Sequence, residues 1–192
     1  MTLPEPMPRA LPKPPKAEVT SSEALSMFAL PGQVGVATRK VAIFVGDGVD
    51  GEQVAAAQKA LVKAGAVGRL IGPRVGAFSA ADGSQIDADA SFENEPSVLF
   101  DGVILPDGEG TAKAWARDGR AGEFVKDQFR HLKTILALGE AVAFVEGAGV
   151  LRDEEDAGLL LHSDPPKGAI ASFLEALAKH KHFERETDPP LL

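Results

Sequence analysis

The chain has 192 residues, 20 Lys and Arg against 28 Asp and Glu, and a formal charge of −8; that suits one ordinary domain with a tail, and the acidic surplus argues against a nucleic-acid partner, which needs clustered Lys and Arg. With no Cys and no Tyr anywhere, thiolate nucleophiles, disulfides, cysteine-held metals and tyrosinate ligation of haem are excluded by residue type. The sequence carries no cationic leader with an apolar core and no long apolar run, so a soluble, cytoplasmic protein without a membrane partner is expected.

Residues 1–38 read as a proline-rich linker or arm. Six of the 14 prolines fall between Pro4 and Pro15, a density that forbids helix and favours extended polyproline conformations. The domain is expected to begin at Arg39 and run to Glu184, with 185–192 as a tail. Val41–Val45 is a continuous apolar run that breaks into Gly46, Asp47 and Gly48, the pattern of a buried parallel strand entering a loop. Glu52–Ala64 has apolar residues at Val54, Ala57 and Leu61 and stops at Gly65, which predicts a helix. Val67–Ile71 is a second strand, so the chain opens as a β-α-β unit with a right-handed crossover.

Asp82 and Gly83 form a hairpin dipeptide between short strands near Gly76–Ala80 and Ser84–Ile86. Gly102–Leu105 is a buried strand ending in Pro106, Asp107 and Gly108. Helices are predicted about Thr111–Arg117 and Ala121–Leu132, then a strand over Thr134–Leu138 ending in Gly139 and Glu140. The last helix, Ile170–Lys179, places Ile170, Phe173, Leu174, Leu177 and Ala178 on one face. The alternation predicts an α/β flavodoxin-like, doubly wound sandwich with a mostly parallel sheet and a β-hairpin insertion.

In such a sheet ligands bind beyond the carboxyl ends of the strands. Those ends carry Asp47, Asp50 and Glu52 after the first strand, Asp107 and Glu109 after Leu105, and Glu140 after Leu138. Hard cations take such carboxylates, which makes Asp47, Asp107 and Glu109 the metal candidates, although loops carry Asp and Gly as turn formers in any case. A response-regulator receiver would use acids in these places but also a Lys after Leu138, where Gly139 and Glu140 stand. Gly46, Gly48 and Gly51 fit G-x-G-x-x-G in form, yet Asp47 and Asp50 would repel a pyrophosphate. Of the histidines, His131 is expected to cap or fray its helix; His180 and His182 fall near the end of the last helix, where cationic side chains favour the dipole, and two residues apart they lack the spacing of a metal pair.

Several blocks in order resemble the C-terminal domain of large-subunit haem catalases. They are Arg39–Gly51 (RKVAIFVGDGVDG), the hairpin Ala81–Ser84 (ADGS), Phe100–Asp107 (FDGVILPD) and His131–Ile135 (HLKTI). Ala24–Phe28 with Pro31 and Gly32 resembles the linker leaving the catalase core, so the likeness covers about Ser22 to Phe183. It implies membership of the class I glutamine-amidotransferase-like superfamily, whose active members carry a Cys nucleophile on an elbow after the strand equivalent to Thr134–Leu138. Here that vestigial elbow falls at Gly139. Glu52 matches the Glu those members keep at the start of the first helix, and without a thiol it has nothing to activate. No catalytic residue and no cofactor are therefore expected in this chain.

The resemblance implies a piece of a peroxide-decomposing enzyme whose haem chemistry resides in an absent core. Starting at a Met followed by a linker, the chain is expected to be the isolated domain. Its implied partners are the catalase core and the neighbouring subunits of a homotetramer. Unfolded client proteins are a further expected partner, with Met27, Phe28 and Trp115 as the exposed apolar surface. Two other readings compete: a stand-alone domain taking a small ligand or metal at its acidic strand ends, and a residual hydrolase with Glu52 as base and water as nucleophile.

Overall fold

The structure, a computed structural model, describes residues 13, 16, 18, 19, 21–25, 35–150 and 156–186. It divides into two units, Met1–Gln33 and Val34–Leu192. In the first, the described residues include a single turn of 3₁₀ helix, Glu23–Leu25; the prolines of the arm, Met27 and Phe28 lie outside the described residues.

The second unit is built on a six-stranded sheet, every neighbouring pair parallel. Its strands are β1 (Lys40–Phe44), β2 (Val67–Gly72), β5 (Ala90–Ser91), β6 (Gly102–Leu105), β7 (Thr134–Leu138) and β8 (Leu159–His162), in the order β5-β2-β1-β6-β7-β8. A separate antiparallel hairpin joins β3 (Gly76–Ser79) to β4 (Gln85–Ala88) around Asp82 and Gly83. The helices are α1 (Gly51–Lys63), α2 (Glu109–Trp115), α3 (Gly119–Arg130), α4 (Ala141–Gly147) and α5 (Ala169–Ala178).

The central strands have no polar face, because helices cover both sides of the sheet. The two-residue period divides their side chains. Ala42, Phe44, Val103, Leu105, Ile135 and Ala137 join one core, packed under α2, α3 and α4. Val41, Ile43, Ile104, Leu136 and Leu138 join the other, under α1 and α5. Each fully buried Leu, Ile or Phe here contributes about 1.5–3 kcal/mol. Phe44 is the hub of the first core: its ring lies 4.6 Å from Phe92, 5.1 Å from Phe124 and 5.5 Å from Trp115, centroid to centroid. Trp115 is 1% exposed, so it is core and not the client-binding surface expected of it: its ring is held between Phe44 and Phe144.

The predicted fold class and its main elements are present, most bounds moving by one or two residues. Three elements were not predicted: β5, α4 and β8. His182 also departs from expectation. It is 1% exposed, follows the end of α5 by several residues, and burial together with the nearby Arg185 pushes its imidazole pKa down. It is therefore not a cationic cap of the last helix.

Candidate functional site

The loops leaving β1, β6 and β7 meet at the carboxyl end of the sheet, and Asp107 joins them. Asp50 caps α1 by accepting from the Gln53 N–H at 3.0 Å, and its own N–H donates to the Asp107 carbonyl at 2.8 Å. The Asp107 N–H donates to Gln53 Oε1 at 2.9 Å. The Asp107 carboxylate turns toward β7, where Oδ1 accepts from two main-chain N–H groups, Gly108 at 2.7 Å and Glu140 at 2.8 Å. Gly108 sits at φ +149°, and a Cβ there would lie 2.5 Å from the Gly48 carbonyl oxygen, so no other residue fits this approach.

Gly139 is the residue on the predicted elbow, between β7 and α4. Its φ is +57°, the left-handed conformation that a sharp strand-to-helix turn requires. A Cβ at this position would lie 2.1 Å from Asp107 Cγ and 2.2 and 2.3 Å from its two carboxylate oxygens. The space a nucleophilic side chain would need is filled by a carboxylate. Two N–H groups of the kind that stabilise a developing oxyanion point at that carboxylate instead.

Glu52 is exposed on the first turn of α1. It borders a cleft of about 450 Å³ with Asp50, Gln53, Leu138, Pro165 and Ile170, within the size range of small-molecule sites. None of the described residues lining the cleft is a Ser, Thr, Cys, Lys or His; they offer carboxylates, an amide and an apolar wall and no activated nucleophile.

The three metal candidates are held apart. Asp47 is exposed and its Oδ1 accepts from the Ser79 N–H of the hairpin at 2.9 Å. Glu109 pairs with Lys113 one turn along α2, which lowers its carboxyl pKa through the hydrogen bond and the charge. Asp107 is engaged as described. Among the described residues, the group with donors close enough to share an ion is a different one: Asp156, His182 and Glu184. Sequence spacing did not suggest it, because Asp156 reaches the other two only through the fold. Gln53 was also missed; its signal is its place three residues after the capping Asp50.

The other charged networks brace the amino end of the sheet. Glu95 receives both Lys40 and Arg69, each at 2.7 Å, and their hydrogen bonds hold its carboxyl pKa down. Lys133, 8% exposed, has among the described residues only the carbonyls of Ser97 and Val98 as partners, at 3.2 and 3.4 Å, and burial lowers its pKa to about 8.

A doubly wound sheet with a glycine elbow and a cleft beside the first helix defines the class of fold. Solved structures of that class match it. Drosophila melanogaster DJ-1β superposes with a TM-score of 0.63 at 19% identity, covering 76% of this chain and 91% of its own. Oxidized Toxoplasma gondii DJ-1 gives 0.62 at 15%, covering 74% and 96%. Residues 37–187 match the family described as the C-terminal domain found in long catalases, and the chain belongs to that family. Pseudomonas putida catalase HPII is 36% identical over 170 residues, which is 88% of this chain and 23% of that protein. Rhizobium meliloti catalase C is 36% identical over 187 residues, 92% of this chain and 25% of the relative. The chain thus spans about a quarter of the length of the catalases it matches. Among the described residues no helix is long and apolar enough to cross a membrane.

Proposed function

We propose that this chain acts as a non-catalytic accessory domain of a large-subunit, peroxide-decomposing catalase, supporting its assembly, stability and substrate access. The observation that carries this reading is the elbow: Gly139 faces the Asp107 carboxylate, so the position that bears the nucleophile in active members of the fold has neither the residue nor the room for one. Haem does not fit this chain. It has no Tyr, and neither described cavity, the cleft beside Glu52 nor the one between α3 and α4, is lined by a His, Met or Cys that would hold an iron. The haem then belongs to the core, and the domain, spanning 39–184, rides beside it on the proline-rich arm at high effective concentration, where a modest interface suffices.

Its partners in this reading are that core and the neighbouring subunits of a homotetramer in the cytoplasm. Unfolded clients are a secondary class; among the described residues of this unit Val62, Val67, Val75, Val98 and Leu99 are the exposed large apolar side chains. The cleft favours one other use of the same end of the fold, capture of a small ligand by Glu52 and Asp50 against the wall of Leu138 and Ile170. The deciding experiment is the mass of the native polypeptide in the source cell, by immunoblot and intact mass spectrometry, with a haem absorbance scan. A species several-fold larger than 20.1 kDa carrying haem is expected. A free species of that size would overturn the accessory reading and leave ligand binding in the cleft as the function to test.

A further inference from the structure

The segment after α5 returns over the start of β7 and is fastened there. Arg185 forms a two-point pair with Asp156, its Nη2 donating to Oδ1 at 2.8 Å and its Nε to Oδ2, with both side chains under 5% exposed. The same guanidinium donates to the Lys133 carbonyl and lies 4.9 Å from the Phe129 ring centre. His182 is wedged between these groups and Gly158, where a Cβ would lie 2.1 Å from the imidazole. Its Nε2 is 3.0 Å from Thr134 Oγ1. Its Nδ1 is buried and has no hydrogen-bond partner among the described residues; Glu184 Oε1 stands 3.4 Å away without hydrogen-bond alignment.

We propose that Asp156, His182 and Glu184 form a binding site for a zinc-class divalent cation that pins the C-terminal segment to the sheet. One donor atom from each residue lies within 4.8 Å of the other two. A tetrahedral ion with bonds of about 2.0–2.1 Å sets its ligand atoms about 3.3–3.4 Å apart, the separation that Nδ1 and Oε1 already have. The tautomer fits: Nε2–H donating to the Thr134 hydroxyl leaves the lone pair on Nδ1, the arrangement in which a second partner orients a ligating imidazole. Asp156 fits as well. Its Oδ1 is taken by the Gly158 N–H and by Arg185, but among the described residues Oδ2 accepts from Arg185 alone, which leaves a lone pair there, with Arg185 as the outer-shell donor of a ligating carboxylate. With a neutral imidazole the two carboxylates and one guanidinium leave net negative charge, which a cation needs. Glu184, 42% exposed, supplies access and leaves room for water as a fourth ligand. One imidazole with two carboxylates suits zinc; magnesium and calcium prefer oxygen throughout. This site is independent of the accessory role.

The test is a calorimetric zinc titration of the chelator-treated chain, repeated with magnesium and with Glu184→Gln. One-to-one zinc binding is expected, with no magnesium signal. Loss of an outer-shell partner costs roughly 10–100-fold in metal affinity, so loss of the Glu184 carboxylate should cost at least tenfold. Glu184 is exposed, so its variant keeps the fold. A long-range proton–nitrogen NMR spectrum reads the ring directly: on zinc addition the His182 Nδ1 resonance should move while Nε2 keeps its proton. Absence of binding at millimolar zinc, unchanged affinity in Glu184→Gln, or resonance shifts confined to His131, His162 or His180 would each overturn the proposal.

Discussion

Replacing Gly139 with Ala should destabilise the domain severely, and through Asp107. An L-residue held at φ +57° costs about 1–2 kcal/mol in the left-handed region. The larger part comes from the new methyl, whose Cβ would sit 2.1 Å from Asp107 Cγ, far inside van der Waals contact at roughly 3.5–4.0 Å. The carboxylate has to leave, and with it go the hydrogen bonds from Gly108 and Glu140. Each hydrogen bond to a charged group is worth about 1.5–3 kcal/mol, discounted here because the vacated groups are half-open to water. The sum is on the order of 3–6 kcal/mol, against a total stability of about 5–15 kcal/mol for an ordinary domain. Urea unfolding of Gly139→Ala, Asp107→Ala and the double variant forms the cycle. Once Asp107 is shortened, the second substitution should cost only the backbone strain, giving a coupling of about 2–4 kcal/mol. Additive effects, or a Gly139→Ala cost under about 1 kcal/mol, would refute the view that the carboxylate fills the elbow. Replacing Gly139 with Cys instead should give no thiol-dependent peptidase activity while Asp107 is intact.

Three further outcomes follow from packing and charge. Burial holds Lys133 at about pKa 8 in place of 10.5, so between those values the unfolded chain binds more protons and stability rises with pH. Lys133→Met should therefore stabilise the fold by about 1–3 kcal/mol at pH 7, with the gain fading toward pH 10.5; an equal loss at both pH values in denaturant titrations would contradict this. Arg185→Met, which strands the buried Asp156 carboxylate, should cost about 3–5 kcal/mol, read as a lower urea midpoint. Trp115 is the one tryptophan, so the native chain should emit at short wavelength and resist iodide quenching, and exposed-type emission would place it back on the surface.

Much of this architecture is legible in the sequence because strands buried on both faces read as continuous apolar runs. Gly102–Leu105 and Thr134–Leu138 are read to the residue, since each is a continuous apolar run closed by a turn. Leu159–His162 is not, because a run of three leucines carries no period that separates strand from helix. The strand β5 is two residues long and exists only through pairing with β2, and α4 is a seven-residue helix without a side-chain cap. At the site, the resemblance gave the elbow, a glycine after the strand Thr134–Leu138. Its contents were hidden, because Asp107 and Gly139 are neighbours only when β6 and β7 pair. The His182 reading failed for a related reason. A helix-end role was given to a residue that follows the end of α5 by several positions, where the imidazole takes its partner from Thr134, far away in sequence.

The elbow's geometry persists here without a nucleophile, and the hydrogen bonds supply a reason. Asp107 donates its N–H to Gln53, its carbonyl accepts from the Asp50 N–H, and its carboxylate accepts from the N–H groups of Gly108 and Glu140. Gly139 donates its own N–H to the His162 carbonyl at the end of β8. A single aspartate and the glycine facing it thus clip together the ends of β1, β6, β7 and β8. A carboxylate that accepts two main-chain donors fixes the separation of those donors, and it needs no reacting ligand to hold the loops in place. Such a clip favours rigidity at the carboxyl end of the sheet over adaptability. The close approaches within it account for Gly139 and Gly108 by packing alone.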